Sequence, residues 1–436
     1  MAKLRPFRGL RYDLPRAGDP ANLLAPPYDV VDDDGRAELA SRSPHNCIHV
    51  ILPEGAGDSR YEVGAGHFAR LKREALRRDL EPSVYVYHQA FTAEGQTHVR
   101  KGFVALVELT PFGQGPVLPH ERTLKGPKED RLKLMRACDA HLELVFGLFS
   151  DPKRQWEQIV DASLGAPVLE AEFDGSRHTL YRVFEPGAVA ALCALLADKR
   201  VYMADGHHRY ETMCTFADEL AAGGHPDPRF GMIYLSNLDD PGLIVLPTHR
   251  LVHGLASLDV AGTLAALEPW FTRTREPLPG DALALRKRLE DAGASGASFA
   301  LAVPGEGSME VLTLRADFDP IAAGLGDVPA ALQRLDVALL HDLVLDRGLG
   351  ITRAIQEAKT NIHYYKSTAK ALEVARAGGD DTQLVCFMNA TPVTDVVAVC
   401  DSGQVMPQKS TFFYPKIPTG LCFHDLSRES GPDDAA

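Results

Sequence analysis

The residues best placed to do chemistry are Asp205-Gly-His-His-Arg-Tyr210, directly after the apolar run Val201-Tyr-Met-Ala204. A short strand that ends in a glycine and continues into a helix is a recurrent way to hold an anion. Gly206 permits a tight turn or a close backbone approach. The first N–H groups of the helix that follows have no internal partner and lie at its positive end, where phosphate is the usual occupant. His207 and His208 add donors, and Arg209 can grip phosphate through two N–H groups at once. Asp205 fits less simply. At the lip of an anion site it would repel phosphate unless it accepts a hydrogen bond, holds a metal ion or caps the helix. The plainer reading makes Asp205 the N-cap and leaves both histidines on the helix surface.

Three further stretches carry site-competent residues. His120-Glu-Arg-Thr-Leu-Lys-Gly-Pro-Lys-Glu-Asp-Arg131 places Glu121 beside Arg122, Lys125 and Lys128. A carboxylate among cations is what a general base beside a phosphate clamp requires, although a solvated charge run has the same composition. Lys409-Ser-Thr-Phe-Phe-Tyr-Pro-Lys416 offers Lys409, Ser410, Thr411 and Lys416 to ring a phosphate, while its three aromatics equally suit plain packing. Tyr28 and Asp29 follow Pro26-Pro27, as a rigid surface turn or as part of a pocket. His363-Tyr-Tyr-Lys366 reads as packing. The adjacent pairs His120–Glu121 and His207–His208 point apart on a helix, so neither makes a facial metal set. The phosphate loop Gly-x-x-x-x-Gly-Lys-Ser/Thr, the dinucleotide loop Gly-x-Gly-x-x-Gly and the serine elbow Gly-x-Ser-x-Gly are all missing from the sequence.

The elements that must position these residues follow from periodicity. Helical spacing of Phe68, Leu71, Ala75 and Leu76 predicts a helix over 61–80. Residues 84–91 and 98–109 read as a hairpin turning at Ala93-Glu-Gly-Gln96, and 48–52 as a strand. Helices are expected at 129–141, 155–164, 188–196 and 207–222, with strands at 144–149, 201–204, 232–235 and 243–246. The pattern then restarts: helices near 258–268, 281–292, 330–345 and 392–400, a hairpin at 298–314 and a strand at 384–388. Strands mixed with helices make the class α/β or α+β. A boundary near 255 divides an N-terminal region, 1–254, from a C-terminal α/β region, 255–436.

Bulk composition narrows the function. With 436 residues, 45% hydrophobic and 24% charged, the chain is ordinary globular material for two or three domains. A net charge of −13 argues against a generic nucleic-acid binder. No apolar run has the length of a membrane helix, and the first ten residues do not form a signal peptide. Seven cysteines without a Cys-x-x-Cys pair suit reduced thiols in the cytoplasm. The oligomeric state is not legible.

Arg5-Pro-Phe7 with Pro26-Pro-Tyr-Asp29, Leu118-Pro-His-Glu-Arg-Thr123, Ala204-Asp-Gly-His-His-Arg-Tyr-Glu211, Asn237-Leu-Asp-Asp240, and Met406-Pro-Gln-Lys-Ser-Thr411 with Pro415-Lys416 occur in one order along the chain. On these the chain is identified as a member of the DUF1015 family. The Asp-Gly-His-His-Arg stretch also resembles the motif of the ParB/sulfiredoxin-like fold, closest to that of the free serine kinases. The resemblance implies a ParB/sulfiredoxin-like mixed core with insertions and a kinase for free L-serine or a similar small hydroxyl metabolite. ATP, ADP or pyrophosphate would be the donor and Mg²⁺ the cofactor. Asp205, His207, His208 and Arg209 would surround the transferred phosphoryl group, Asp205 on the metal side and Glu121 as the base. Gly206, Arg122, Lys125 and Lys409 would contact phosphate. Tyr28, Asp29, Ser410, Thr411 and Lys416 would line the acceptor pocket. Two other functions fit the same motif: a phosphatase or hydrolase, and a ParB-like nucleotide-dependent DNA-binding module.

Overall fold

A computed structural model of the chain describes residues 1–93, 95–123, 125–226, 228–378 and 381–427. The chain forms two compact units. The first comprises Met1–Pro119, Thr123–Ile244 and the stretch from Pro415; the second comprises His120–Arg122 and Val245–Tyr414. The chain therefore passes between units ten residues before the expected point near 255, and its last segment, assigned by sequence to the C-terminal region, packs with the first unit.

Unit 1 is built on a nine-stranded mixed sheet. Its strands are β1 (Leu4–Arg5), β2 (Val84–Ala93), β3 (Gln96–Glu108), β4 (Val117–Leu118), β5 (Val145–Phe149), β6 (Leu169–Phe173), β7 (Ser176–Val183), β8 (Val201–Asp205) and β9 (Phe230–Asn237). They lie in the order β4-β8-β5-β9-β3-β2-β7-β6, with β1 also paired to β3. The β4–β8 and β5–β9 pairs are parallel, and the rest antiparallel. The expected hairpin is β2–β3, in register from Tyr85 opposite Val104 to Ala93 opposite Gln96.

Side chains alternate along each strand, and the two faces differ. On one, Val84, Val86, Phe103, Ala105, Val145, Met203, Ile233 and Leu235 form a core with Trp156, Val160, Leu192, Tyr210, Met213 and Phe216. These last come from the helices Gln155–Asp161, Pro186–Leu196 and His207–Ala222. The other face carries aromatic and polar groups: Tyr85, Tyr87 and Gln89 of β2, Arg100 of β3, Tyr234 of β9 and Phe146 of β5. The returning C-terminal segment is tied to it. Gln89 Nε2 donates to the Lys416 carbonyl, 3.1 Å, and Arg100 Nη2 to that of Pro415, 2.7 Å.

Three elements of unit 1 differ from expectation: the helix expected over 129–141 is Lys125–Cys138, with Ala140–His141 a strand. Residues 48–52 were expected as a strand but form the helical turn Ile48–Ile51; five apolar residues fit either period, and burial on all sides decides. The helix expected over 61–80 is Ser59–Glu74. It is followed by the strand Leu76–Arg78, which pairs with Leu10–Tyr12.

Unit 2 holds a six-stranded antiparallel sheet. Its strands are β10 (His249–His253), β11 (Phe271–Pro277), β12 (Ser298–Ala302), β13 (Ser308–Leu314), β14 (Ile362–Tyr365) and β15 (Thr382–Met388), in the order β11-β13-β12-β15-β10-β14. The helices Ala282–Gly293 and Thr368–Ala377 cover one face, burying Leu285, Leu289, Ala371, Leu372 and Ala375 against Leu251, Val311, Val385 and Phe387. The helix expected over 330–345 begins at Asp336 and continues as a wider π turn over Leu340–Gly348. Both units mix strands and helices, and the molecule is mixed α/β. No helix among the described residues is long and apolar enough to cross a membrane, and all seven cysteines are free thiols.

Candidate functional site

A one-residue irregularity aims Asp205. In the β8–β5 ladder Tyr202 lies opposite Leu148 and Met203 opposite Gly147; the register then slips, so that Asp205 lies opposite Phe146. A regular ladder would set Asp205 against Val145, a residue of the helix-covered core. Bulges re-aim side chains in this way and recur beside functional sites. Phe146 stacks at a tilt on Tyr234, 5.2 Å between ring centroids, so Asp205 joins the aromatic and polar face of the sheet.

Gly206 makes the turn into the helix. Its φ is +85°, and a Cβ there would lie 3.1 Å from the Arg209 guanidinium, so conformation and space both call for glycine. Gly206 is the N-cap of His207–Ala222, and among the described residues no side chain caps that helix. Asp205 is therefore not the cap that the plainer sequence reading makes it. Its Oδ2 accepts from Arg209 Nη2 at 3.0 Å and its Oδ1 from Lys416 Nζ at 2.8 Å. Burial pushes the Asp205 carboxyl up, but the charges of Lys416 and Arg209 outweigh that and hold it well below the usual carboxylate range.

Arg209 links this carboxylate to a second group of charges. It is 5% exposed, and Nη1 donates to the Leu144 carbonyl. Burial weakens its proton affinity, yet Glu143, Asp205, Asp29 and Tyr28 more than restore it. Glu143 accepts from the Tyr28 backbone N–H at 3.3 Å and from Arg131 Nη1 at 3.4 Å. The Arg131 guanidinium lies 4.0 Å from the centre of the Tyr28 ring and donates to the Ile51 carbonyl at 2.8 Å. Burial pushes the Tyr28 phenol up to about 12, with Arg131 opposing. Unit 1 thus brings Tyr28, Asp29, Arg209, Asp205 and Lys416 together with Glu143 and Arg131, two residues that sequence reading missed. Glu143 had a signal: a lone charge between Leu142 and Leu144, just before a buried strand, must be paired. Arg131 had none, because it closes a run of charges.

The remaining unit 1 residues are placed as follows. His207 is buried, its ring 6.3 Å from that of Phe112, and His208 is half-buried. Lys128 lies in the helix Lys125–Cys138 and donates to Glu211 at 3.0 Å; the Thr123 hydroxyl also donates to Glu211. The side chain of Lys125 lies outside the described residues.

Glu121, Arg122, Lys409, Ser410 and Thr411 belong to unit 2. Glu121 forms a parallel bridge to Met406, whose N–H donates to the His120 carbonyl at 2.8 Å. His120 Nε2 and the Thr411 hydroxyl are hydrogen-bonded at 2.8 Å. The Ser410 hydroxyl donates to the Pro407 carbonyl at 2.6 Å, and Lys409 adopts a left-handed φ of +58°. The Ser410 hydroxyl thus bonds within its own loop and that of Thr411 bonds to His120, while Arg122 is exposed.

Among the described residues no group of three or more His, Cys, Asp or Glu side chains is placed to hold a metal ion. Magnesium beside a nucleotide needs only one or two carboxylates, since water and phosphate oxygens complete its shell. Asp205, kept ionised, fits that lesser requirement.

Comparison with known proteins gives the following. A point mutant of a free serine kinase in complex with AMP is 13% identical and covers 70% of this chain and 89% of its own, with a TM-score of 0.36. A conserved hypothetical protein from Pyrococcus furiosus is 15% identical and covers 70% and 92%, with a TM-score of 0.33. SbnI with C-terminal truncation from Staphylococcus aureus is 12% identical and covers 76% and 90%, with a TM-score of 0.34. Likeness at this level says nothing of the activity here. No curated protein matches the chain. The family model described as "Protein of unknown function (DUF1015)" matches residues 4–338, a span that holds the Asp-Gly-His-His-Arg turn, and the chain belongs to that family.

Proposed function

We propose that the chain is a small-molecule phosphotransferase acting on free L-serine or a similar small hydroxyl compound. The observation that carries this reading is the Asp205 carboxylate, held ionised between Lys416 and Arg209 at an uncapped helix N-terminus. Phosphoryl transfer asks the protein mainly for positioning and charge neutralisation. Lys416, Arg209, His207, His208 and the first helix N–H groups are donors for phosphate oxygens. Lys416 and Arg209 both pair with Asp205 until an anion arrives. Magnesium, held by Asp205, would neutralise charge on the phosphate oxygens. The acceptor hydroxyl gives its proton to a carboxylate, for which the family resemblance implies Glu121. A new bond forms from that oxygen to the terminal phosphorus, and the bond to the donor's bridging oxygen breaks. ATP leaves as ADP, ADP as AMP, or pyrophosphate as phosphate.

Phosphorus NMR tests this directly. Purified protein with Mg²⁺ and L-serine is given ATP, ADP or pyrophosphate in separate tubes. One tube should develop a phosphomonoester signal, and Asp205→Ala and His208→Ala should abolish it. Glu121→Gln should slow it by roughly 10²-fold or more if Glu121 is the base. Donor breakdown without the monoester would identify a hydrolase instead, and no turnover in any tube would refute the kinase.

A further inference from the structure

Unit 2 buries a full positive charge that the proposed transfer does not use. Arg250 stands in the middle of β10, 1% exposed, between Tyr364 of β14 and Cys386 of β15. Leu251 beside it faces the helix-covered core, so Arg250 and Tyr364 rise together from the opposite face of the sheet.

Among the described residues every hydrogen-bond acceptor that meets this guanidinium is neutral. Nη1 donates to the Thr248 carbonyl, Nη2 to the Lys409 carbonyl at 3.0 Å, and Nε to His341 Nε2 at 3.2 Å. The protonation of His341 is fixed by its other side. Gln356 donates its amide N–H groups to the carbonyls of His341 and Ile351, which turns its Oε1 toward His341 Nδ1 at 2.6 Å. Nδ1 therefore carries the proton, Nε2 is the lone-pair acceptor, and the ring is uncharged. Among the described residues Arg250 forms no ion pair within 4 Å; Asp336 and Glu121 act on it only from farther away. A guanidinium has five N–H groups, and the three bonds leave one free on each of Nη1 and Nη2. Tyr364 stands opposite in register, with the Arg250 guanidinium over its ring at 5.5 Å from the ring centre, and its hydroxyl is buried with no hydrogen-bond partner among the described residues.

A buried charge with no counter-ion in contact and a buried hydroxyl without a partner are both costly, and here they stand on adjacent strands. A single ligand would relieve both. We infer that Arg250 and Tyr364 form a subsite for a small oxyanion, a phosphate or carboxylate group, in the second unit. Its oxygens accept from the free Nη N–H groups of Arg250 and from the Tyr364 hydroxyl. The two carboxylates nearby, Asp336 and Glu121, oppose anion binding and weaken the site without occupying it.

Titration calorimetry on the full chain tests this, with inorganic phosphate and malonate as separate probes. Both are titrated into a Lys416→Met background, which removes one of the two cations proposed to bind phosphate in unit 1. One probe should bind, and which one it is separates phosphate from carboxylate. Arg250→Lys should weaken binding about tenfold or more, and Tyr364→Phe about threefold or more. Tyr364→Phe removes only an unpartnered hydroxyl and leaves folding intact, so it decides the matter if the Arg250 variant does not fold. The bound probe should also raise the melting temperature of the parent more than that of Tyr364→Phe. Absence of binding by either probe in the millimolar range, or equal affinity in Tyr364→Phe, overturns the subsite. Neither result depends on phosphoryl transfer, since no donor or acceptor is present.

Discussion

At the scale of single residues, two aspartates show how differently burial acts with and without nearby cations. Asp205 touches two positive charges and is held ionised. Asp336, half-buried at the start of its helix, touches none among the described residues. Burial pushes its carboxyl up to about 6, against a backbone N–H from Val337 and the more distant Arg250. A carboxyl with a folded pKa above its unfolded value, about 3.9, favours the folded state less as it ionises. Stability is therefore lost as pH rises from about 3.9 to about 6 and stays lost above that. Asp336→Asn keeps an oxygen for Val337 and removes the charge. It should leave stability unchanged at pH 4 and raise it at pH 8, by up to about 3 kcal/mol for a shift of about two units. Urea unfolding at the two pH values reads the difference, and an equal effect at both would show that Asp336 is not the group concerned. Legibility at this scale ended where partners are far apart in sequence. Asp205 is 211 positions from Lys416, and nothing in the local pattern joins them. The acidic residue that looked out of place beside a phosphate site is explained by that contact together with the local one to Arg209.

At the scale of elements, the hairpin over 84–108 and the strand–turn–helix over 201–222 were legible because alternation and helical spacing are local and each runs for many residues. The bulge was not. A shift of one residue leaves the apolar pattern of Val201–Ala204 intact and changes only which face Asp205 joins. Gly206 was legible as a turn residue, though not the second constraint on it, the guanidinium against the position of its missing Cβ. Gly206→Ala meets both. The left-handed backbone costs an alanine roughly 1–2 kcal/mol, and the methyl group displaces Arg209 from between Asp205 and the Leu144 carbonyl. Unfolding stability should fall by at least that amount, measured by denaturant titration. Gly206→Asn, which tolerates positive φ better but carries the same Cβ, should recover the backbone share alone. Full recovery would mean that the space beside Arg209 is not limiting.

At the scale of the whole molecule, the least legible feature is that the first unit is completed by the end of the chain. Composition shows no break at 244 or 415, and the aromatic stretch before Pro415 reads as one surface loop. The segment from Pro415 nevertheless supplies Lys416 to the site, a carbonyl to Arg100 and another to Gln89. Beyond them, Thr419 bridges to Ala25 and Phe423 to Leu10. Phe423 is fully buried, edge-on to Phe68 at 5.7 Å and to Tyr12 at 6.2 Å. Losing Phe423 alone should cost about 3–5 kcal/mol, of the same order as the whole stability of a domain, and the polar sheet face would lose its carbonyl acceptors as well. A chain ending at Tyr414 should therefore keep unit 2 and lose unit 1. Hydrogen exchange with mass spectrometry distinguishes the two. Amides of β2 and β9 should exchange rapidly in the shortened chain, while those of β12 and β15 keep the protection they have in the full chain. Retained protection in β2 and β9 would show that the returning segment only covers the sheet.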